Sequence, residues 1–258
     1  MLYNGQEDTG PVYGAPLTEG KQSGKNPQGK AQMKHTHKKD LPGADQNTLI
    51  YAVLHGKDST ARCAALEKIV NVESFIDDLL DDPDPNVRLT LTEKIGTGEK
   101  DLLKKIALCD EDKYVRCAAV RKIKEAETLI TIALNDKEED VRNTAGEQYR
   151  HLGRNERSGA AERICDTSAL IYIAERDQDA LIRQEAVKKI DDEKALTEAA
   201  LHDPDQRVQT AAVRRILEVY GTKALGGVMQ QAEDRYIRKF ARKLAAGEQF
   251  SMKDIKSS

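Results

Sequence analysis

From residue 47 onward, the chain alternates short aliphatic stripes with polar breaks at a recurring interval. Each unit opens on one apolar residue: Leu49, Phe75, Leu103, Leu129, Leu170, Leu196 and Leu225. Twelve residues later stands Ala61, Val87, Val115, Val141, Ile182, Val208 or Ile237, and the next position is Arg62, Arg88, Arg116, Arg142, Arg183, Gln209 or Arg238. Four residues after the aliphatic come Ala65, Leu91, Ala119, Ala145, Ala186, Ala212 and Ala241. Three residues before it is always an acid: Asp58, Asp84, Asp112, Glu138, Asp179, Asp205 and Asp234. A fixed column of acids in front of fixed columns of Arg and Ala marks an internal repeat.

Each column predicts local structure. The opening residue and the apolar residues three to five positions on, such as Ala52, Val53 and Leu54, form one helical stripe. A short break follows, with Pro83 or Pro204 stopping the helix in two units. The acid then sits where an N-cap is wanted, to accept from the first amides of a second helix. The Arg lies four residues further on, which predicts a helix face shared by acid and Arg and a structural acid–Arg ladder. Alanine at the next column lets helices approach closely. Two antiparallel helices of about ten residues cannot bury their own apolar faces, so neighbouring units must stack.

The pattern D-x-x-V-R-x-x-A, present as Asp112, Val115, Arg116 and Ala119, is similar to the short HEAT-like repeat of phycobilin lyases. The resemblance covers residues 47 to about 246. It implies an all-α fold, a right-handed α-solenoid of about seven two-helix repeats. Such repeats serve many roles, so the resemblance does not fix a function.

Successive units are 26, 28, 26, 41, 26 and 29 residues apart. The long step points to one extra helix near residues 150–164, without a partner of its own, where the solenoid is expected to bend or divide. The expected organisation is a flexible tail over 1–45, four repeats over 46–149, the inserted helix over 150–164, three repeats over 165–248 and a short tail over 249–258. The first segment is rich in Gly, Pro, Gln and Lys without apolar periodicity, and residues 21–39 carry six lysines and no acid. His35 and His37 form a His-x-His pair there, a weak metal signal.

Composition narrows the function. Charged residues are 33%, aromatics 4%, and Trp is absent, which suits thin amphipathic helix pairs. A net charge of −3 argues against a surface built throughout for nucleic acid. No signal peptide or membrane span is legible, and four cysteines without C-x-x-C spacing read as free thiols, so a cytoplasmic protein is expected. Basic residues nevertheless gather at Arg150, Arg154 and Arg157 in the insert, and at Arg235, Arg238, Lys239, Arg242 and Lys243 in the last unit. These are the candidate partner or anion contacts, although a polar outer face on a terminal repeat also explains the second group.

Enzymes built on similar repeats supply contrasts. Resemblance to deoxyhypusine hydroxylases would require repeated His-Glu pairs, whereas the five His are followed by Thr36, Lys38, Gly56, Leu152 and Asp203. HEAT-like DNA glycosylases acting on alkylated bases use aromatics around a carboxylate, and bilin lyases need a bilin site. The chain shows neither pattern. The expectation is therefore a non-enzymatic protein–protein scaffold, adaptor or complex subunit with no cofactor and no metal. A nucleic-acid-binding or glycosylase-like protein, or a bilin-lyase-like enzyme, is the alternative.

Overall fold

A computed structural model describes residues 45–248, which belong to one compact unit. The basic stretch 21–39, the His35–His37 pair and the terminal segment 249–258 lie outside the described residues. Among the described residues the fold is all-α, with fifteen α-helices, two 3₁₀ turns and no strand.

The helices follow the units of the sequence. They are α1 (Gln46–His55) with α2 (Ser59–Lys68), α3 (Ile76–Leu80) with α4 (Pro85–Lys94), and α5 (Lys100–Cys109) with α6 (Lys113–Val120). Then come α7 (Ala126–Asn135) with α8 (Glu139–His151), and α9 (Arg154–Arg163) without a mate. The remaining pairs are α10 (Thr167–Arg176) with α11 (Ala180–Val187), α12 (Glu193–His202) with α13 (Gln206–Tyr220), and α14 (Leu225–Gln231) with α15 (Arg235–Ala245). The two helices of each pair pack together, and second helices pack on second helices through α2, α4, α6 and α8 and again through α9, α11, α13 and α15.

The aliphatic column holds this arrangement. Val87, Val115, Val141, Ile182, Val208 and Ile237 are all buried between helices. Burying each such side chain contributes about 1.5–3 kcal/mol. The alanines of the next column are buried as well, so their size sets how closely the helices approach. In six of the seven units the acid before the second helix caps it, as when Asp112 accepts from the amides of Tyr114 at 2.8 Å and Val115 at 3.2 Å. Glu138 is the exception and makes no side-chain cap, because its carboxylate stands one methylene further from the backbone.

The arginine column departs from expectation. The arginines do not pair with the acid one turn earlier in their own helix. Four of the six reach forward to an aspartate in the next unit: Arg62 to Asp82, Arg88 to Asp110, Arg116 to Asp136 and Arg183 to Asp203. Arg142 instead donates to the carbonyls of Asp136 and Lys137 in its own turn. For Arg88, Arg116 and Arg183 the contact is bidentate at 2.8–2.9 Å. The same aspartates accept the amide of the capping acid two residues on, at 3.0 Å for Asp82 and 2.9 Å for Asp110. One carboxylate thus fixes the turn of its own unit and the guanidinium of the unit before. The capping acids point toward the amides of the helix start, and none of them receives the column arginine four residues on.

A second set of bonds joins the opposite ends of the second helices. Lys122 Nζ donates to the carbonyls of Thr92, Glu93 and Ile95 at the end of α4, at 2.9, 2.5 and 2.8 Å. Lys94 reaches Glu67, Gln148 reaches Ile123, and Arg215 reaches Ile190 in the same way. A cation on the exposed carbonyls of a helix C-terminus satisfies orphan acceptors and complements the helix dipole.

Candidate functional site

The inserted helix is observed as α9, and it occupies a second-helix position. Arg157 bonds Asp177 at 3.0 Å, as a unit arginine would, and Lys189 caps the C-terminus of α9 through Ala161, Glu162 and Ile164. Both sets of inter-unit bonds therefore join α9 to the unit that follows it, whereas toward α8 the ladders are interrupted: Arg142 donates to the carbonyls of Asp136 and Lys137 in its own unit, and Arg163 reaches Glu127 on α7. The described residues on both sides of α9 nevertheless belong to one compact unit. In the layer of first helices, α7 packs directly against α10.

This junction buries one residue of the expected basic cluster, Arg157, and leaves Arg150 and Arg154 exposed. Arg157 is 4% exposed, with its guanidinium held by Asp177 and the carbonyl of Leu152, so it is not a partner contact. Asp177 also accepts from Tyr149 Oη at 2.7 Å and from the amide of Asp179 at 2.8 Å. Burial, and then Asp177 beside it, push the Tyr149 phenol well above the ordinary tyrosine range. Arg154 pairs with Asp179 at 2.5 Å, and Arg163 pairs with Glu127. Arg150 alone of the named insert residues is exposed without an ion-pair partner among the described residues.

The basic residues of the last helix divide between two surfaces. Arg238 takes the arginine column and donates to the carbonyls of Ala232 and Glu233. Arg242 is exposed in a column that in earlier units holds Leu66, Thr92, Val120, Ala161, Val187 and Val213, all buried, and the half-buried Gly146. An arginine there prevents a further like unit from packing on α15, because its charge would be buried unpaired. Arg235 is exposed near the start of the helix. Lys239 and Lys243 are half-buried on the outward side, with Lys243 Nζ 4.0 Å from Glu248 Oε2.

That outward side carries a charge reversal. Six residues after the aliphatic column, the second helices up to α9 present Glu67, Glu93, Arg121, Glu147 and Glu162, all exposed. The last three present Lys188, Arg214 and Lys243 at the same register. Because α11 packs on α13 and α13 on α15, these three cations stand on adjacent helices. Arg214 lies over the Phe240 ring at 5.1 Å from its centroid, and Phe240 stacks on Tyr236 at 6.2 Å. Arg207, two turns before Arg214, holds Asp205 bidentately and lowers its carboxyl to about 2. A shallow recess of about 380 Å³ between α11 and α13 is lined by Gln184, Lys188, Thr210 and Arg214, with the Arg215–Glu218 pair at its edge.

Other features carry less. A recess of about 700 Å³ between α5, α7 and α9 is lined by charges of both signs, among which Lys104 pairs with Glu125 at 3.4 Å and Arg163 with Glu127 at 2.5 Å. Among the described residues, no cluster of three or more His, Cys, Asp or Glu is placed to hold a metal, and no helix is long and apolar enough to cross a membrane. The four cysteines are free; Cys117 is buried, whereas Cys109 and Cys165 are exposed. Compared with known proteins, the chain matches no family model, and no curated protein matches its sequence.

Proposed function

We propose that this chain is a HEAT-like α-solenoid of seven two-helix repeats and one half repeat, acting in the cytoplasm as a non-enzymatic scaffold for a protein partner. The observation that carries this reading is the divided face of the second helices, which presents Glu67, Glu93, Glu147 and Glu162 with one arginine, Arg121, up to α9 and only cations, Lys188, Arg214 and Lys243, after it. A sorted surface of this kind orients a partner and suppresses wrong ones, which is what electrostatic complementarity contributes to an interface. The inter-unit ladders support the role, because they hold successive second helices in register and so fix the spacing of the outward charges.

Capture of the tagged full-length chain from its native lysate, with and without nuclease, tests the reading. A discrete protein partner that survives nuclease supports it. Recovery of nucleic acid, with partners lost after nuclease and binding falling steeply with salt, supports a nucleic-acid-binding protein instead. The lysine and arginine stripe is the observation in favour of that second reading. The acidic register before α11 weighs against it, since a polyanion continuing along the face would meet Glu162 and Glu147.

A further inference from the structure

Resting on the scaffold reading, we infer that the stripe Lys188–Arg214–Lys243 is a docking surface for an extended acidic protein segment with a carboxylate at every third residue. The three cations occupy one register on adjacent helices, α11, α13 and α15. Packed helices lie about 8–10 Å apart. A segment in the extended polyproline II conformation advances about 3.1 Å per residue with three residues per turn, so every third side chain returns to one face after about 9 Å. Such a segment crossing the helices therefore brings each third side chain opposite one cation. A helical segment, rising about 1.5 Å per residue, would bring its successive turns along one face only about 5.4 Å apart and fall out of step.

The surroundings fit a protein segment better than a nucleic-acid strand. The face has its own acids, Glu185 bonded to Lys188 at 2.6 Å and Glu218 bonded to Arg215 at 3.1 Å, and both would meet an unbroken phosphate backbone. The cationic register spans three helices and then gives way to Glu162 and Glu147. A protein segment can be acidic over that short span and change character beyond it. One turn before Lys188 and Arg214 on their helices stand Gln184 and Thr210, neutral groups that line the same recess and whose oxygens can accept from a peptide backbone. Lys188 and Arg214 are exposed, so their replacement leaves the buried core intact.

The test uses the full chain and three fluorescent probes in a polarisation titration. One is a Ser/Gly peptide with glutamates at every third position, one has the same composition with its glutamates consecutive, and one is oligothymidylate. The expected result is binding of the spaced peptide over the other two. Lys188→Glu or Arg214→Glu should each weaken it roughly tenfold, while Glu67→Lys on the acidic end leaves it unchanged. Arg214→Gln, which keeps a polar side chain over Phe240, should weaken it less than Arg214→Glu. Equal binding of both peptides, preference for the oligonucleotide, or no binding would each overturn the inference. A protein partner captured from lysate by a chain that ignores the spaced peptide would also overturn it, and would leave the scaffold reading standing.

Discussion

Arg157 Nε stands 3.0 Å from Asp177 Oδ2, twenty residues along the chain, the offset that also joins Arg62 to Asp82, Arg116 to Asp136 and Arg183 to Asp203. A helix with no partner of its own thus keeps the bond that defines a unit. The Asp177 side chain is 0% exposed, so the pair exists only because the carboxylate receives Arg157, Tyr149 and the amide of Asp179 together.

Asp177→Ala leaves a buried guanidinium without its anion and strands the Tyr149 hydroxyl. The expected loss is about 3–5 kcal/mol, the usual cost of breaking a buried pair from one side. Urea denaturation measures it. Replacing Arg183 with Met and Asp203 with Leu together should cost less than either change alone, because no charge is then left buried and unpaired.

Glu138 is the one capping acid without a cap bond. Glu138→Asp should supply it and raise stability by about 0.5–1 kcal/mol, whereas Asp112→Ala should lower it by about 1 kcal/mol. Equilibrium unfolding of the two variants checks both signs.

Removing the cation at the other end of the helices should also cost stability. Lys122→Met deletes three bonds to the C-terminus of α4 and should cost about 1.5–3 kcal/mol, the range for hydrogen bonds to a charged group. A parallel urea titration of Lys124→Met, whose side chain is exposed, should show almost no change.

The capping carboxylates set the response to acid. Backbone donation from Asn86 holds Asp84 below its ordinary value, backbone donation from Leu181 does so for Asp179, and the Arg207 guanidinium takes Asp205 to about 2. For Asp136 burial pushes upward, but the Arg116 bond and the Glu138 amide outweigh it. Each of these groups has a lower pKa folded than unfolded. Their contribution is therefore fully present above the unfolded carboxylate range near 4 and is lost as pH falls toward about 2. Thermal melts should hold level from neutral pH to about 5 and then drop through that window.

Much of the fold was legible because the columns are chemical as well as periodic. The acids before the second helices, the buried aliphatics and the close-packed alanines each have one structural reason, and the extra helix followed from the 41-residue step between the fourth and fifth units. The partner of the arginines was not read correctly. An acid four residues before an arginine on one helix suggests a local pair, but that acid points toward the amides of the helix start. The true partner, five residues before the next aliphatic, was visible as Asp82, Asp110, Asp136, Asp177 and Asp203. Its signature is that Gln209 replaces arginine in the unit followed by Ala232 rather than aspartate. The insert cluster misled for the same reason, since a run of arginines in sequence does not show which of them a neighbouring unit will bury. The outward charge reversal needed the helix-to-helix register, which joins residues 26 and 29 positions apart in Lys188, Arg214 and Lys243.

Hydrogen–deuterium exchange of the full chain, free and bound to the partner recovered from lysate, tests the central claim most directly. Slowed exchange concentrated on α11, α13 and α15, and absent when Lys188 and Arg214 are both reversed to Glu, is the predicted result. Protection confined to the first helices, or unchanged by that reversal, would contradict the account.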